Sequence, residues 1–104
     1  MIIATSSNIV GKEIKTTYGV VRGNTVRARH VGKDIIAGLK TIVGGEIQEY
    51  TKLMAESREQ SIDRMVEEAK ALGANAIVDA RFATSYIMSN VAEILVYGTA
   101  VYVE

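Results

Sequence analysis

The chain has 104 residues, with twelve basic and twelve acidic side chains, one histidine, no cysteine and no proline. This is the usual size of one domain, able to remove about 65% of its unfolded surface from water, so a single domain over residues 1–104 is predicted. The lack of cysteine excludes disulfides and thiolate metal sites. No apolar run approaches the roughly 18 residues of a membrane helix, and residues 1–4 are too short for a signal peptide, so a cytoplasmic protein is expected.

Charge is distributed unevenly along the chain. Residues 1–45 carry seven basic and two acidic side chains, a net charge of +5, whereas residues 46–104 carry five basic and ten acidic ones, a net charge of −5. Such a dipolar protomer could stack head to tail, as in ring interfaces. The alternative is that the two halves simply carry different solvated charges. Zero overall charge and few aromatic residues argue against nucleic acid as a partner.

The first part of the chain predicts strands. Residues 1–5 favour a short strand, and the alternation of residues 14–21 predicts a second one with a single buried face. Gly23 and Asn24 separate two β-rich runs, which predicts a two-residue type II′ hairpin.

The return strand of this hairpin is expected over residues 25–31. Its alternation places Arg27 and Arg29 on one face, which is predicted to be solvated. The opposite face carries Val26, Ala28 and His30.

A short amphipathic helix is predicted over residues 34–43, where apolar side chains recur at helical spacing. Gly44 and Gly45 end it, because successive glycines allow a sharp change of direction. A phosphate-binding loop at these glycines is the weaker alternative, because Glu46 follows where such a loop needs further glycines or a lysine.

A long helix is predicted from Glu46 to Leu72, with Gly73 ending it in a left-handed conformation. Ser57 and Ser61 interrupt its apolar stripe, and their small side chains would let the helix lie close to a sheet. The stripe comprises Ile47, Tyr50, Leu53, Met54, Ile62, Met65, Val66, Ala69 and Leu72. The charged side chains fall mostly on the opposite face and indicate a solvated surface.

Two further strands are predicted after the long helix. Residues 78–82 alternate apolar and charged side chains, which predicts one apolar and one charged face, and the chain is expected to reverse at residues 88–90. The last strand, residues 94–103, is apolar on both faces, which predicts a central position in the sheet or burial against another copy. Gly98 within it would allow a close backbone approach or a bulge.

Four segments carry a resemblance: residues 72–77 (LGANAI), 97–101 (YGTAV), 42–45 (IVGG) and 2–5 (IIAT). With this order and spacing the chain resembles the YbjQ-like family of small bacterial and archaeal proteins, described as putative heavy-metal-binding. The resemblance implies a dodecin-like α/β fold in two layers (α+β), with an antiparallel sheet packed by a short and a long helix. It also implies a homopentamer or a decamer made of a pair of such rings.

His30 is the single candidate metal ligand of the soft or borderline type, and such metals need several histidine or cysteine ligands held together. A symmetric ring could bring several copies of His30 to one axis, or carboxylates could complete the site. However, residues 27–34 depart from the family pattern, so a structural histidine is the preferred interpretation. The metal site and any cofactor are therefore left unassigned.

No catalytic residue is predicted. Catalysis needs a nucleophile, a base and an orienting group to converge, and no motif pairs His30 with serine or aspartate. Asp63 and Glu67 lie one helical turn apart, a spacing typical of a solvated helix face.

Two functional hypotheses remain. The first is a binding module, a ring whose inter-subunit clefts or axis hold a metal ion or a small anionic ligand, using the basic face of Arg27 and Arg29. The second is a structural scaffold, a ring that presents a surface to protein partners and binds nothing small. An enzyme is the third and least favoured class.

Overall fold

The computed structural model describes residues 1–28, 48–88 and 91–104. It contains a four-stranded sheet in the order β1-β3-β4-β2 and, in the described part, one helix. The elements are β1 (Ile2–Ile3), β2 (Ile14–Ala28), α1 (Gln48–Leu72), β3 (Ala76–Met88) and β4 (Val91–Val103). The predicted α+β class is confirmed, whereas the short helix predicted over residues 34–43 lies outside the described residues. Within the described ranges, no helix combines the length and apolar character needed to cross a membrane.

The sheet is mixed, so the prediction of a wholly antiparallel sheet was wrong at one edge. β4 lies between β2 and β3 and is antiparallel to both, so a central position is observed, the first of the two alternatives predicted for the last strand. β1 instead pairs in parallel with β3, Ile2 opposite Ala76 and Ile3 opposite Ile77. Most of the chain separates these two strands, so no hairpin forces them to be antiparallel.

β2 runs unbroken through Gly23 and Asn24, where a hairpin was predicted. The reason lies in the helix above it. A Cβ at Gly23 would lie 2.0 Å from the main-chain oxygen of Ser61 and 2.5 Å from the main-chain nitrogen of Met65. Glycine is therefore required here by the close approach of α1 to the strand, and not by a turn.

α1 packs on β2 and β4 through one row of buried side chains spaced four residues apart, which share a helix face. The row consists of Ser57, Ser61, Met65 and Ala69. It covers a core to which Val21, Ile77, Val96 and Ala100 contribute from the sheet. The prediction that two small serines let the helix lie close to the sheet is confirmed.

The segment after α1 fixes the helix end to the end of β4. Gly73 has a φ of 93°, as predicted for the residue after the helix. The Asn75 side chain then donates from Nδ2 to the Val103 carbonyl oxygen at 2.8 Å and accepts from the Val103 N–H at 2.8 Å. The Asn75 side chain thus satisfies both the main-chain donor and the main-chain acceptor of Val103, at the end of β4.

β3 contains a bulge opposite Gly98. Its register with β4 shifts between Val78 and Arg81, so that Asp79 and Ala80 together oppose a single residue. Asp79 has a φ of 52°, and a Cβ at Gly98 would lie 3.0 Å from the main-chain oxygen of Val78. Gly98 was predicted to allow either a close backbone approach or a bulge, and both occur at this position.

The bulge changes which face the following residues occupy. Val78 and Ala80 are buried, as predicted, but Phe82 is 52% exposed. The prediction that all three share one buried face was wrong, because one extra residue in a strand shifts the alternation that follows it.

Candidate functional site

The predicted basic face of β2 is not solvated at Arg27. Its Nε donates to Ser57 Oγ at 3.0 Å and its Nη2 donates to Gln60 Oε1, so the guanidinium lies against α1. The prediction was wrong because β2 does not turn at Gly23, and Val21, Gly23 and Arg27 therefore share the helix side of one continuous strand. Arg29 and His30 lie outside the described residues.

A cluster of hydroxyl groups lies next to Arg27 between α1 and the sheet. The Thr25 and Ser61 hydroxyl oxygens are 2.8 Å apart, and Thr25 Oγ1 also donates to the Ser57 carbonyl oxygen at 3.1 Å. Ser61 Oγ lies within hydrogen-bond distance of the Ile94 and Ser57 carbonyl oxygens. No buried side-chain polar atom of the described residues lacks a partner. These hydroxyl groups join helix to sheet.

The sheet face away from α1 is only partly covered, and we call its uncovered part the open face. Near the end of β4, Ile9 and Ile14 pack on this side over Val101 and Val103. Further along the sheet the described residues place no second layer. The open face consists of Val20, Arg22, Asn24 and Val26 of β2, Arg81 and Ala83 of β3, and Glu93, Leu95 and Tyr97 of β4. Val20 is 64% and Val26 50% exposed.

Two arginines flank a tyrosine on the open face. Tyr97 pairs directly with Arg22 on one side and with Arg81 on the other, so the three side chains leave the sheet in one row. Arg81 is anchored, because its Nη1 donates to the carbonyl oxygens of Thr5 at 2.8 Å and Ala80 at 2.9 Å. Guanidinium groups present several donors to carboxylate or phosphate oxygens, so this row could bind an anion.

Sequence reasoning missed this row. Arg22 and Arg81 are far apart in the chain and carry no motif. Only the strand register, which depends on the bulge before Arg81, places both beside Tyr97.

A metal centre within one chain is not formed by the described residues. Among them, no group of three or more histidine, cysteine, aspartate or glutamate side chains could hold a metal ion. Asp63 and Glu67 lie on the exposed face of α1, as predicted. Heavy metals prefer thiolate and imidazole ligands. The sequence has no cysteine and a single histidine, His30.

Comparison with known proteins identifies the family. The YbjQ family, described as "Putative heavy-metal-binding", matches residues 1–104. A UPF0145 protein of Methanosarcina acetivorans is 56% identical over 101 residues, 97% of this chain and 95% of that protein. A UPF0145 protein of Dehalococcoides mccartyi is 53% identical over 104 residues, 100% of both chains.

A solved structure confirms the fold. The crystal structure of a protein of unknown function from Pediococcus pentosaceus, assigned to the DUF74 family, matches with a TM-score of 0.62 and 18% identity. The match covers 100% of this chain and 98% of that one. The family resemblance drawn from the four short segments is therefore confirmed, and this chain belongs to the YbjQ family of UPF0145 proteins.

Proposed function

We propose that this protein is a self-associating, non-catalytic binding protein that holds a small ligand where its copies meet. The observation that carries the proposal is the open face, where exposed Val20 and Val26 lie on the same side of the sheet as the row of Arg22, Tyr97 and Arg81. Tyrosine and arginine are enriched in protein interfaces, so their row beside exposed apolar side chains favours an interaction surface. The assembly proposed is a homopentameric ring or a decamer of two rings, following the family resemblance.

The charge asymmetry supports association between copies. The half of the chain that contains β2 is basic, and the half that contains α1, β3 and β4 is acidic. When the open face of one copy is covered, Arg22 and Arg81 lose water and need anionic partners. The acidic half of a neighbouring copy supplies carboxylates to these arginines. A small anion such as phosphate supplies the negative charge that is still needed. We therefore propose a small anion as the ligand.

A metal ion is the second candidate, and the family description favours it. Because the sequence offers a single imidazole and no thiolate, such a site would draw its ligands from several copies. His30 would be the imidazole donor, repeated around the ring.

A binding role is proposed instead of catalysis because of the hydrogen bonds that the buried hydroxyl groups make. Those of Thr25 and Ser61 are bonded to each other and to main-chain carbonyl oxygens, and Ser57 Oγ bonds to Arg27 and to the Leu53 carbonyl oxygen. A nucleophile would instead be paired with a base.

Native mass spectrometry of protein purified without added metal or chelator tests this proposal. A pentamer or decamer that retains a stoichiometric extra mass supports the binding role, and the mass distinguishes an anion from a metal. A bare ring that captures no ligand from added phosphate or Zn²⁺ would favour the scaffold role. A monomer at all concentrations would exclude self-association.

Charge-removing variants locate the ligand. We expect R22Q and R81Q to lose the retained anion, whereas R58Q, which removes an exposed arginine from α1, keeps it. If the extra mass is a metal, H30A should lose it. Retention of an anion by the R22Q/R81Q double variant would contradict the assignment to the open face.

A further inference from the structure

We infer that Asp79 is a positioning residue for the proposed anion. Together with Ser7 it holds the N-terminal segment against the bulge of β3, and that segment holds the guanidinium group of Arg81. The inference rests on the proposed function and concerns one of the two arginines that would bind the ligand. Residues 4–7 are called the N-terminal strap.

The bulge of β3 turns two successive main-chain donors towards the N-terminal strap. In a regular strand, successive N–H groups point to opposite edges. Here Asp79 N–H donates to the Ser6 carbonyl oxygen at 3.0 Å. The next N–H, that of Ala80, donates to the same strap, to the Ala4 carbonyl oxygen at 3.0 Å. Ala4 N–H in turn donates to the Ile77 carbonyl oxygen at 2.9 Å, so main-chain hydrogen bonds fix the strap at the bulge.

Asp79 adopts a backbone conformation that glycine would adopt more easily. Its φ of 52° lies in the left-handed region, which disfavours L side chains, although aspartate tolerates it better than most residues. Oδ1 of Asp79 accepts a hydrogen bond from the Ser7 hydroxyl group at 2.9 Å. A glycine at position 79 could form the bulge but not this hydrogen bond. A residue held in a disfavoured conformation points to a role for its side chain, and here that role is to tie down the strap.

The N-terminal strap holds the guanidinium group of Arg81. Nη1 of Arg81 donates to the Thr5 carbonyl oxygen at 2.8 Å and to the Ala80 carbonyl oxygen at 2.9 Å. Both N–H groups of Nη1 are thus used, which leaves the donors of Nε and Nη2 for a ligand. Thr5 lies in the middle of the strap, between residues whose main-chain groups β3 holds. The place of the guanidinium group beside Tyr97 therefore depends on the strap.

A binding group that is already held in place loses less conformational freedom when its ligand binds. An arginine side chain on an exposed strand otherwise samples many rotamers, and ordering it has a large entropic cost. Only some of these rotamers direct the guanidinium group towards an anion beside Tyr97. Release of the strap would therefore weaken anion binding, although Arg81 itself is unchanged.

Substitutions at Ser7 test the inference without changing any charge. S7A removes the donor to Asp79. S6A is the matched control, because the Ser6 hydroxyl group donates instead to the Asn8 carbonyl oxygen at 2.7 Å. In isothermal titration calorimetry we expect S7A to bind inorganic phosphate about threefold to tenfold more weakly than the parent, and S6A to bind it as the parent does. Equal affinities of S7A and S6A would overturn the inference.

Two neutral substitutions at Asp79 separate positioning from stability. D79N keeps an acceptor oxygen for Ser7 and tolerates the same φ, whereas D79G relieves the φ and loses the acceptor. D79G should therefore bind phosphate about threefold to tenfold more weakly than D79N, while its thermal stability is little changed. In the S7A/D79G double variant the affinity should fall no further, since both changes remove the same hydrogen bond. Equal affinities of D79G and D79N would contradict the role of Asp79.

A measurement without any ligand separates this inference from the proposed function. Phenylglyoxal modifies accessible guanidinium groups, and peptide mass spectrometry gives its rate at Arg81 relative to exposed Arg58 on α1. We expect this relative rate to rise roughly threefold in S7A and to stay unchanged in S6A. If the parent binds no phosphate, the proposed function is wrong, and these rates still decide whether Ser7 and Asp79 hold Arg81. If the parent binds phosphate but S7A and S6A differ in neither affinity nor rate, the inference is wrong and the proposed function stands.

Discussion

Gly23 lies where the backbones of β2 and α1 approach each other closely. It sits in the middle of β2, and the space that a Cβ would need is already filled by main-chain atoms of Ser61 and Met65. Main-chain atoms inside a helix cannot move aside without shifting the whole element, so this position tolerates no side chain at low cost.

We expect G23A to lower the free energy of unfolding by about 3 kcal/mol, because the added methyl group separates α1 from β2. Urea denaturation followed by circular dichroism measures the loss. N24A is the comparison, because Asn24 is the next residue of the same strand and lies exposed on the face away from α1. Equal losses in the two variants would argue against the special closeness of α1 at Gly23.

The hydroxyl pair of Thr25 and Ser61 is a second determinant at the residue scale. We expect T25V and S61A each to cost about 1 to 2 kcal/mol, because each leaves buried polar groups with fewer partners. The double variant should cost less than the sum by about 1 kcal/mol, since the two groups share one hydrogen bond. T16V, at an exposed position of the same strand, is the control and should be near neutral. Strict additivity would show that the pair is not coupled.

Of the element boundaries, the C-terminal end of α1 is the one that the sequence predicted best. The Gly73 conformation, with φ of 93°, follows from the general preference for glycine after a helix. The role of Asn75, which bonds the Val103 main chain, is not visible in the sequence because its partner lies in the last strand.

G73A should lower the free energy of unfolding by roughly 1 to 2 kcal/mol, because an L side chain disfavours this conformation. G73N should lose less, since asparagine tolerates positive φ better than alanine. Thermal unfolding of the three proteins at one concentration measures the order. A stability of G73N at or below that of G73A would contradict this explanation.

Local sequence patterns predicted the long helix and the position of the last strand. Long-range contacts decided whether β2 turns at Gly23 and which residues face each other across the sheet. Helical spacing and small serines identified α1 and its close packing, and the apolar character of both faces of β4 indicated its central position. The hairpin at Gly23 was predicted wrongly, because a glycine needed under a helix looks the same in sequence as a glycine needed in a turn. The row of Arg22, Tyr97 and Arg81 could not be predicted, because it depends on a bulge that shifts the register by one residue.

The whole molecule is elongated, with principal extents of 54 × 24 × 16 Å and a Cα radius of gyration of 17.3 Å. A compact domain of this length has a radius of gyration of about 13 Å. Such a shape leaves the open face at the surface, as the proposed self-association requires.

V26D should break the proposed assembly without unfolding the chain, because it places a charge on the open face, where a neighbour would bury it. We expect the largest species in light scattering to disappear while circular dichroism is unchanged. V10D is the matched control, since Val10 is 100% exposed and lies outside the open face. An assembly that persists in V26D, with the same mass as the parent, would place the contact elsewhere.

The central position of β4 has a consequence for how the chain acquires its fold during synthesis. β2, α1 and β3 all leave the ribosome before β4, yet β4 is the strand with which both β2 and β3 pair. Until it emerges, β2 lacks the strand with which it pairs and β3 has only the short strand β1, while the uncharged segment 82–88 is exposed on a nascent chain. Folding that depends on such distant contacts is slow. We expect ribosome-bound chains that end before residue 91 to remain sensitive to protease until the final strand is added.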